Sequence, residues 1–354
     1  MKVIIAIDSF KGCLTSKQAN QAAAQALTSA APNAEVVTLS VSDGGEGFLQ
    51  AFHDAVGGML MEVTVDDPMR RPIKAKYLLK GQRAVIEIAE ASGLNLLKPE
   101  ERNPMLASSY GSGQLVADAI RNGAKDIIVG HGGSATSDSG QGMLDALTDA
   151  FSDNGQWSGI KLLNNVQFTI ASDVRNPLCG PDGAAHVFAP QKGATHSQVL
   201  ALEERAAAFA ERSARYFGYD RSAMPGAGAA GGLGYAFLQY LNAECRSGIG
   251  LLLEMFDFKN KVRDTDYVIT GEGAADRQTL MGKLPMGILE QSGGVPVWLI
   301  AGNISDREAL LRAGFARVEC INAPGTPLEE AMLQEVAMEG IRCTVLELLR
   351  GEGV

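Results

Sequence analysis

At both ends of the chain a short β-branched apolar run alternates with a helical repeat, and that alternation narrows the fold more than any other feature. "KVIIAID" is five apolar residues closed by an aspartate, the pattern of a strand buried on both faces. Beyond "SFKGCL", Thr15 and Gln18 stand at capping-box spacing, and Ala19, Ala22, Ala23, Ala26 and Leu27 recur at helical spacing. "AEVVTLSVS" is a second strand, and "DGGEG" opens a second helix. The rhythm returns late in the chain. "DYVITG", "VPVWLIAG" and "ARVECIN" read as strands, separated by helices ending in "GILEQSG" and "REALLRAG" and followed by a long helical region. Strands alternating with helices build parallel sheets covered on both faces. The five strands predict an α/β fold with a flavodoxin-like, doubly wound parallel sheet.

The middle of the chain breaks this rhythm. "MEVTVDD", "IKAKYLLK" and "RAVIEIA" are short strands at hairpin-like spacing. A helix around Gly113 to Asn122, a strand "KDIIVG", a helix "GQGMLDALTDAF" and further strands "VQFTIASD" and "AAHVFAP" follow. A second, mixed α/β domain inserted into the first is therefore expected over residues 61–194. Residues 1–60 and 195–354 would form the discontinuous flavodoxin-like domain, with the helices from Ser197 onward returning to it. A chain of 354 residues has room for both.

Charge and cysteine usage exclude several function classes. The net charge is −10 and no lysine- or arginine-rich tract occurs, which argues against a nucleic-acid surface. Five scattered cysteines without a CxxC pair point to reduced thiols in a cytoplasmic protein and away from a zinc knuckle. The apolar run Val3–Ile7 is too short for a secretory signal. No run approaches the roughly 20 residues of a membrane span.

Ligands of open parallel sheets bind beyond the carboxyl ends of the strands, so the residues found there are the candidates for chemistry. After the first strand come Asp8, Ser9 and Lys11; after the second, Asp43, Gly44, Gly45 and Glu46. The "DYVITG" strand leads into Glu272, Asp276 and Lys283, and "VPVWLIAG" into Asn303 and Ser305. The insert adds "GHGGSATSDSG" and "ASDVRNPLCG". Asp43 and Glu46 also fit a D-x-x-E helix cap. "PGAGAAGGLG" reads equally as packing glycines or as a phosphate loop. Glycine and hydroxyl residues ahead of a helix make a nest of N–H donors for phosphate. There is no Walker A sequence, no kinase signature set and no G-x-S-x-G elbow. Carboxylates that suit Mg²⁺, lysines that neutralise phosphate and an acid that takes a hydroxyl proton together suggest phosphoryl transfer to a small substrate.

Seven stretches then resemble, in order, those of the type I glycerate kinase family: "IDSFKGCLTS", "SDGGEG", "ERNPMLASSYGSGQL", "GHGGSATSDSGQGML", "SDVRNPLCGPDGAAHVFAPQKGAT", "PGAGAAGGLG" and "VITGEGAADRQTLMGK". The resemblance implies two different α/β domains, one flavodoxin-like with the other inserted, and an active site in the cleft between them. It implies ATP-dependent phosphorylation of D-glycerate to 2-phosphoglycerate, with ATP as co-substrate and Mg²⁺ as cofactor. On this footing Asp8, Lys11, Asp173 and Lys283 are catalytic candidates, with Asp8 or Asp173 as base. Lys11, Lys283 or the Arg175 neighbourhood would meet the glycerate carboxylate. Asp43, Glu46, Glu272 and Asp276 would serve Mg²⁺. Ser9, Gly44, Gly45, Gly132, Gly133, Ser134, Thr136, Arg175, Asn176, Gly228, Gly231 and Gly232 would contact substrate or nucleotide. Small molecules are the only partners expected, with the protein a monomer or homodimer. Ile7 and Ser139 depart from the family's usual proline and glycine, Arg277 reads as a solvated charge, and the segment between Phe151 and Val166 is shorter than in many members. The competing classes are a kinase of a related sugar acid, a non-catalytic sugar-acid sensor and a metal-assisted phosphatase.

Overall fold

A computed structural model describes residues 1–42, 44, 45, 47–277 and 279–351, and the chain divides into two compact units. The first is Met1–Asp43, Gln50–Val56 and Ile249–Val354; the second is Gly44–Leu49 and Gly57–Gly248. Along the chain the strands are β1 (Lys2–Ile7), β2 (Glu35–Thr38), β3 (Met59–Asp66), β4 (Pro72–Lys80), β5 (Arg83–Glu87) and β6 (Asp126–Gly130). They continue as β7 (Gln167–Ala171), β8 (Glu244–Arg246), β9 (Tyr267–Ala275), β10 (Val297–Ile304) and β11 (Arg317–Cys320).

The first unit holds a five-stranded sheet in the order β11-β10-β9-β1-β2, parallel throughout. Burial explains why β1 is interior: Val3 to Ile7 are all fully buried, as a strand covered on both faces must be. Val3, Ile5 and Ile7 share one apolar cluster with Ala19, Ala22 and Ala26 of helix Ser16–Ala30 and with Ile341 and Val345 of helix Gln334–Gly351. The Thr15–Gln18 capping box starts the first of these helices as its sequence indicates. Within it, Asn20 is 2% exposed and ties two strand ends together. Its Oδ1 accepts from the Ile7 amide at 2.9 Å, and its Nδ2 donates to the Leu39 carbonyl at 2.9 Å. Asn20→Ala leaves both backbone groups buried and unpaired, an expected loss of about 2–4 kcal/mol. The urea midpoint of unfolding checks this; an unchanged midpoint would refute the role given to Asn20.

The second unit contains the sheet β3-β4-β5-β6-β7-β8, antiparallel from β3 to β5 and parallel from β5 to β8. Its core gathers Ile86, Ile127, Val129, Met143, Leu147, Phe168 and Ile170 with Phe209, Tyr235 and Phe237. Those last three residues mark a difference from the expected boundaries. Helices His196–Phe217 and Ala229–Leu241 belong to the second unit, so the chain returns to the first at Ile249 and not at residue 195. "AAHVFAP" is likewise a helix, Ala184–Phe188, not a strand. The place beside β7 is taken by β8, a three-residue strand with no apolar run to announce it. Among the described residues no helix is long and apolar enough to cross a membrane, and all five cysteines are free thiols.

Candidate active site

In the first unit the polar residues collect at the carboxyl ends of β1 and β9. Sequence reading ends the strand near Gly271, but β9 runs on to Ala275, paired with β10 through Ala301–Glu272, Asn303–Ala274 and Ile304–Ala275. Glu272 therefore sits inside a strand, on rigid backbone, at 7% exposure. Its Oε1 accepts from the Thr279 hydroxyl at 2.6 Å, and its Oε2 lies 3.7 Å from Lys283 Nζ. The Thr279 hydroxyl oxygen accepts in turn from the Asp276 amide at 3.0 Å. One hydroxyl thus joins two of the acids named from sequence, and the lysine completes the group. Lys283 directly precedes helix Leu284–Gln291, whose early Pro285 fixes the entry.

Beside this group, the Asp8 amide donates to the Gly271 carbonyl at 2.9 Å. The Asp8 carboxylate accepts from the Ser9 amide at 2.7 Å. Lys11 is exposed. Arg277, also exposed, pairs with Asp306 at 3.1 Å, so its charge has a surface partner. Asp43 and Glu46, both assigned to Mg²⁺ from sequence, lie outside the described residues. Among the described residues no group of three or more His, Cys, Asp or Glu is placed to hold a metal ion.

In the second unit the glycine-rich loops meet each other. Gly132 donates its amide to the Gly44 carbonyl at 2.9 Å. A Cβ on Gly132 would stand 2.1 Å from Gly45 Cα, so only glycine permits the approach. Ser134 Oγ lies 3.0 Å from Thr136 Oγ1 and accepts from the Thr136 amide at 3.0 Å. Gly133 adopts a left-handed conformation, its carbonyl accepting from Leu94. The loop from His131 to Gly140 packs on the start of helix Ala229–Leu241, where Ala230, Gly231 and Gly232 are left-handed in succession. The Ser139 amide donates to the Gly231 carbonyl at 3.1 Å. After β7, the Asn176 carbonyl accepts from the Gly228 amide at 2.9 Å, and Asn176 Nδ2 donates to the Asp182 carbonyl at 2.8 Å. Asp173 and Arg175 belong to this same segment.

Four residues absent from the sequence-based set also prove central to the second unit. Asp138 is an acceptor hub: its carboxylate takes the Ser109 amide and hydroxyl at 2.8 and 2.9 Å, Gly140 at 3.1 Å and Gly142 at 3.2 Å. An aspartate just ahead of the helical repeat starting at Gln141 was a readable capping signal. Glu87, at the end of β5, accepts from the Leu49 amide at 3.1 Å. Lys192 is buried and donates to the Thr136 carbonyl at 2.5 Å; burial pulls its ammonium down to about 7, against the opposing charge of Asp138. No sequence signal marks it, since lysines are almost always exposed. Burial also holds His131 neutral, pulled down to about 3, with its ring against Phe237.

Two parallel-rich sheets with polar residues gathered at strand ends define a mixed α/β protein, a class that takes ligands at its sheet rims. A model of the glycerate kinase family matches residues 3–350, and the chain belongs to that family. The glycerate kinase of Bacillus subtilis (strain 168) is 41% identical over 354 residues, covering 94% of this chain and 93% of its own. The glycerate 2-kinase of Escherichia coli (strain K12) is 36% identical over 328 residues, covering 86% of each. A crystal structure from Salmonella typhimurium LT2, named for glycerate kinase 2, matches with a TM-score of 0.82 at 34% identity, over 100% of both chains.

Proposed function

We propose that the protein is an ATP-dependent glycerate 2-kinase of the cytoplasm, which phosphorylates the C2 hydroxyl of D-glycerate. The observation that carries this reading is the family match from residue 3 to residue 350. A relative named glycerate 2-kinase supports the position of transfer. Counting only its own strands, the first unit has the order 2-1-3-4-5, which supports a flavodoxin-like domain. The second unit is then the inserted domain.

In this reading the glycerate hydroxyl attacks the γ-phosphorus in line while Asp8 or Asp173 takes its proton. Lys11 and Lys283 neutralise charge on phosphate or carboxylate, and Arg175 meets the glycerate carboxylate. The Gly132–Thr136 loop, with Gly44, Gly45, Asn176, Gly228, Gly231 and Gly232, contacts the nucleotide through backbone and hydroxyl donors, and Ser9 contacts substrate. Glu272 and Asp276 offer hard oxygen ligands at the end of β9. An open set of two acids fits Mg²⁺, which keeps waters and binds substrate phosphates rather than a closed protein cage. When bound, the ion would neutralise charge on the β- and γ-phosphates.

A coupled ADP-release assay with ATP, Mg²⁺ and D-glycerate, followed by NMR of the product, tests the proposal. Acceptor-dependent ADP with phosphate on C2 is expected. Phosphate on C3 would overturn the assigned product. Folded protein that releases no ADP with glycerate would overturn the substrate and turn attention to related sugar acids.

A further inference from the structure

The peptide groups on either side of Ser137 are held by two cations. Lys192 Nζ donates to the Thr136 carbonyl at 2.5 Å, and Arg205 Nη2 donates to the Ser137 carbonyl at 3.5 Å. A second Arg205 nitrogen donates to the Met105 carbonyl at 3.3 Å, which anchors the guanidinium. None of the peptide bonds among the described residues is cis, and in a planar trans peptide the N–H points opposite to its C=O. The amides of Ser137 and Asp138 therefore face away from the two cations, as successive donors. A carbonyl bound by a cation also polarises its own peptide and strengthens the N–H on the far side.

Ser137 adds a third donor. Its residue is 8% exposed, and its Oγ is buried without a hydrogen-bond partner among the described residues. Folding buries such a hydroxyl at a cost unless something else pairs with it. Lys192 is costly for a different reason. Its ammonium carries three donors and is 3% exposed, beside Asp138. A buried ammonium is expensive to retain where an apolar side chain of similar volume would fit. An unpaired buried hydroxyl and a buried ammonium, both at one loop whose next two amides turn away from the cations, mark an anion site.

We propose that Ser137 Oγ and the amides of Ser137 and Asp138 bind the phosphate chain of the nucleotide, and that Lys192 is the positioning residue that sets these donors through the Thr136 carbonyl. The identity of the anion rests on the kinase reading above; the donor set does not. The site directly follows the Gly132–Thr136 stretch and includes residues that motif reading passes over.

The test compares wild type, Ser137→Ala and Lys192→Met for thermal melting, for calorimetric binding of the non-hydrolysable analogue AMP-PNP, and for steady-state kinetics. Ser137→Ala removes an unpaired buried hydroxyl, so a melting temperature equal to or above wild type is expected; Lys192→Met leaves the buried Thr136 carbonyl unpaired, so a lower melting temperature is expected for it. AMP-PNP affinity is expected to fall roughly 10- to 100-fold, the scale of a hydrogen bond to a charged group. KM for ATP is expected to rise while KM for glycerate stays unchanged. A Ser137→Ala protein with wild-type AMP-PNP affinity would overturn the site. A Lys192→Met protein that only melts earlier, with affinity intact, would leave that lysine a structural role alone. Ser137→Ala decides the site if Lys192→Met does not fold. If wild type binds AMP-PNP but does not phosphorylate glycerate, the substrate assignment falls and the binding comparison still judges the site.

Discussion

Lys283→Ala is expected to lower glycerate-dependent ADP release at least ~100-fold, the scale of losing one electrostatic stabiliser in an active site. The geometry makes the change clean. Lys283 carries a charge to the end of β9, 3.7 Å from Glu272, and its backbone is fixed by the helix that starts at Leu284. Truncation removes the Lys283 ammonium from Glu272 and leaves its Thr279 hydrogen bond in place. The lysine side chain is 36% exposed, so solvent screens the pair and the loss of stability should be about 1 kcal/mol or less. Activity and stability are therefore expected to separate, with turnover collapsing while the melting temperature moves by a few degrees. A folded variant with near-normal rates would remove Lys283 from the catalytic set.

Gly231→Ala is expected to do the reverse, breaking the scaffold first. Gly231 has φ +69°, between Ala230 at +54° and Gly232 at +88°. A Cβ there would lie 1.9 Å from the Thr136 carbonyl oxygen and 2.8 Å from Ser137 Cα. Both obstacles are backbone, so no side chain can rotate aside. Left-handed alanine costs about 1–2 kcal/mol, and relieving the overlap by moving the loop adds 1–3 more. A total of ~2–5 kcal/mol corresponds to a fall of roughly 4–20 °C in melting temperature for a unit of this size. Gly123→Ala is the control. Its φ is +91°, but nothing lies within 4 Å of the new Cβ, so only the conformational part of the cost applies. Equal melting shifts for the two variants would mean that the packing of Gly231 on Thr136 contributes nothing.

The sequence was most informative where one local signal coincides with one global role. The unbroken apolar run of Val3–Ile7 could only be an interior strand, and Thr15 with Gln18 could hardly be anything but a helix start. It was least informative where partners decide. "AAHVF" has the composition of a strand, but the sheet edge it would need is occupied by Glu244–Arg246. The helices after Ser197 carry generic amphipathic patterns, and only their contacts assign Phe209 and Phe237 to the second core. At the site, glycines that approach other backbone, such as Gly132 on Gly45, were visible because glycine is itself the signal. Asp138 and Lys192 were missed because their importance lies in what they bind. Two of the four donors on the Asp138 carboxylate come from Ser109, 29 residues away, and the carbonyl on the Lys192 ammonium lies 56 residues away.

The pairing of β1 with β9 has a consequence for how the protein is made. Val3 meets Tyr267 in register, so an interior strand of the first sheet leaves the ribosome 264 residues before its second neighbour. At ordinary translation speeds that is a wait on the order of tens of seconds. The stretch Gly57–Gly248, by contrast, is continuous and can close its own sheet as soon as β8 emerges. The order of birth and the order of completion are thus reversed. The first strand made belongs to the last sheet finished, and for that interval a fully apolar segment depends on helix Ser16–Ala30 and on chaperones to keep it from pairing with another nascent chain.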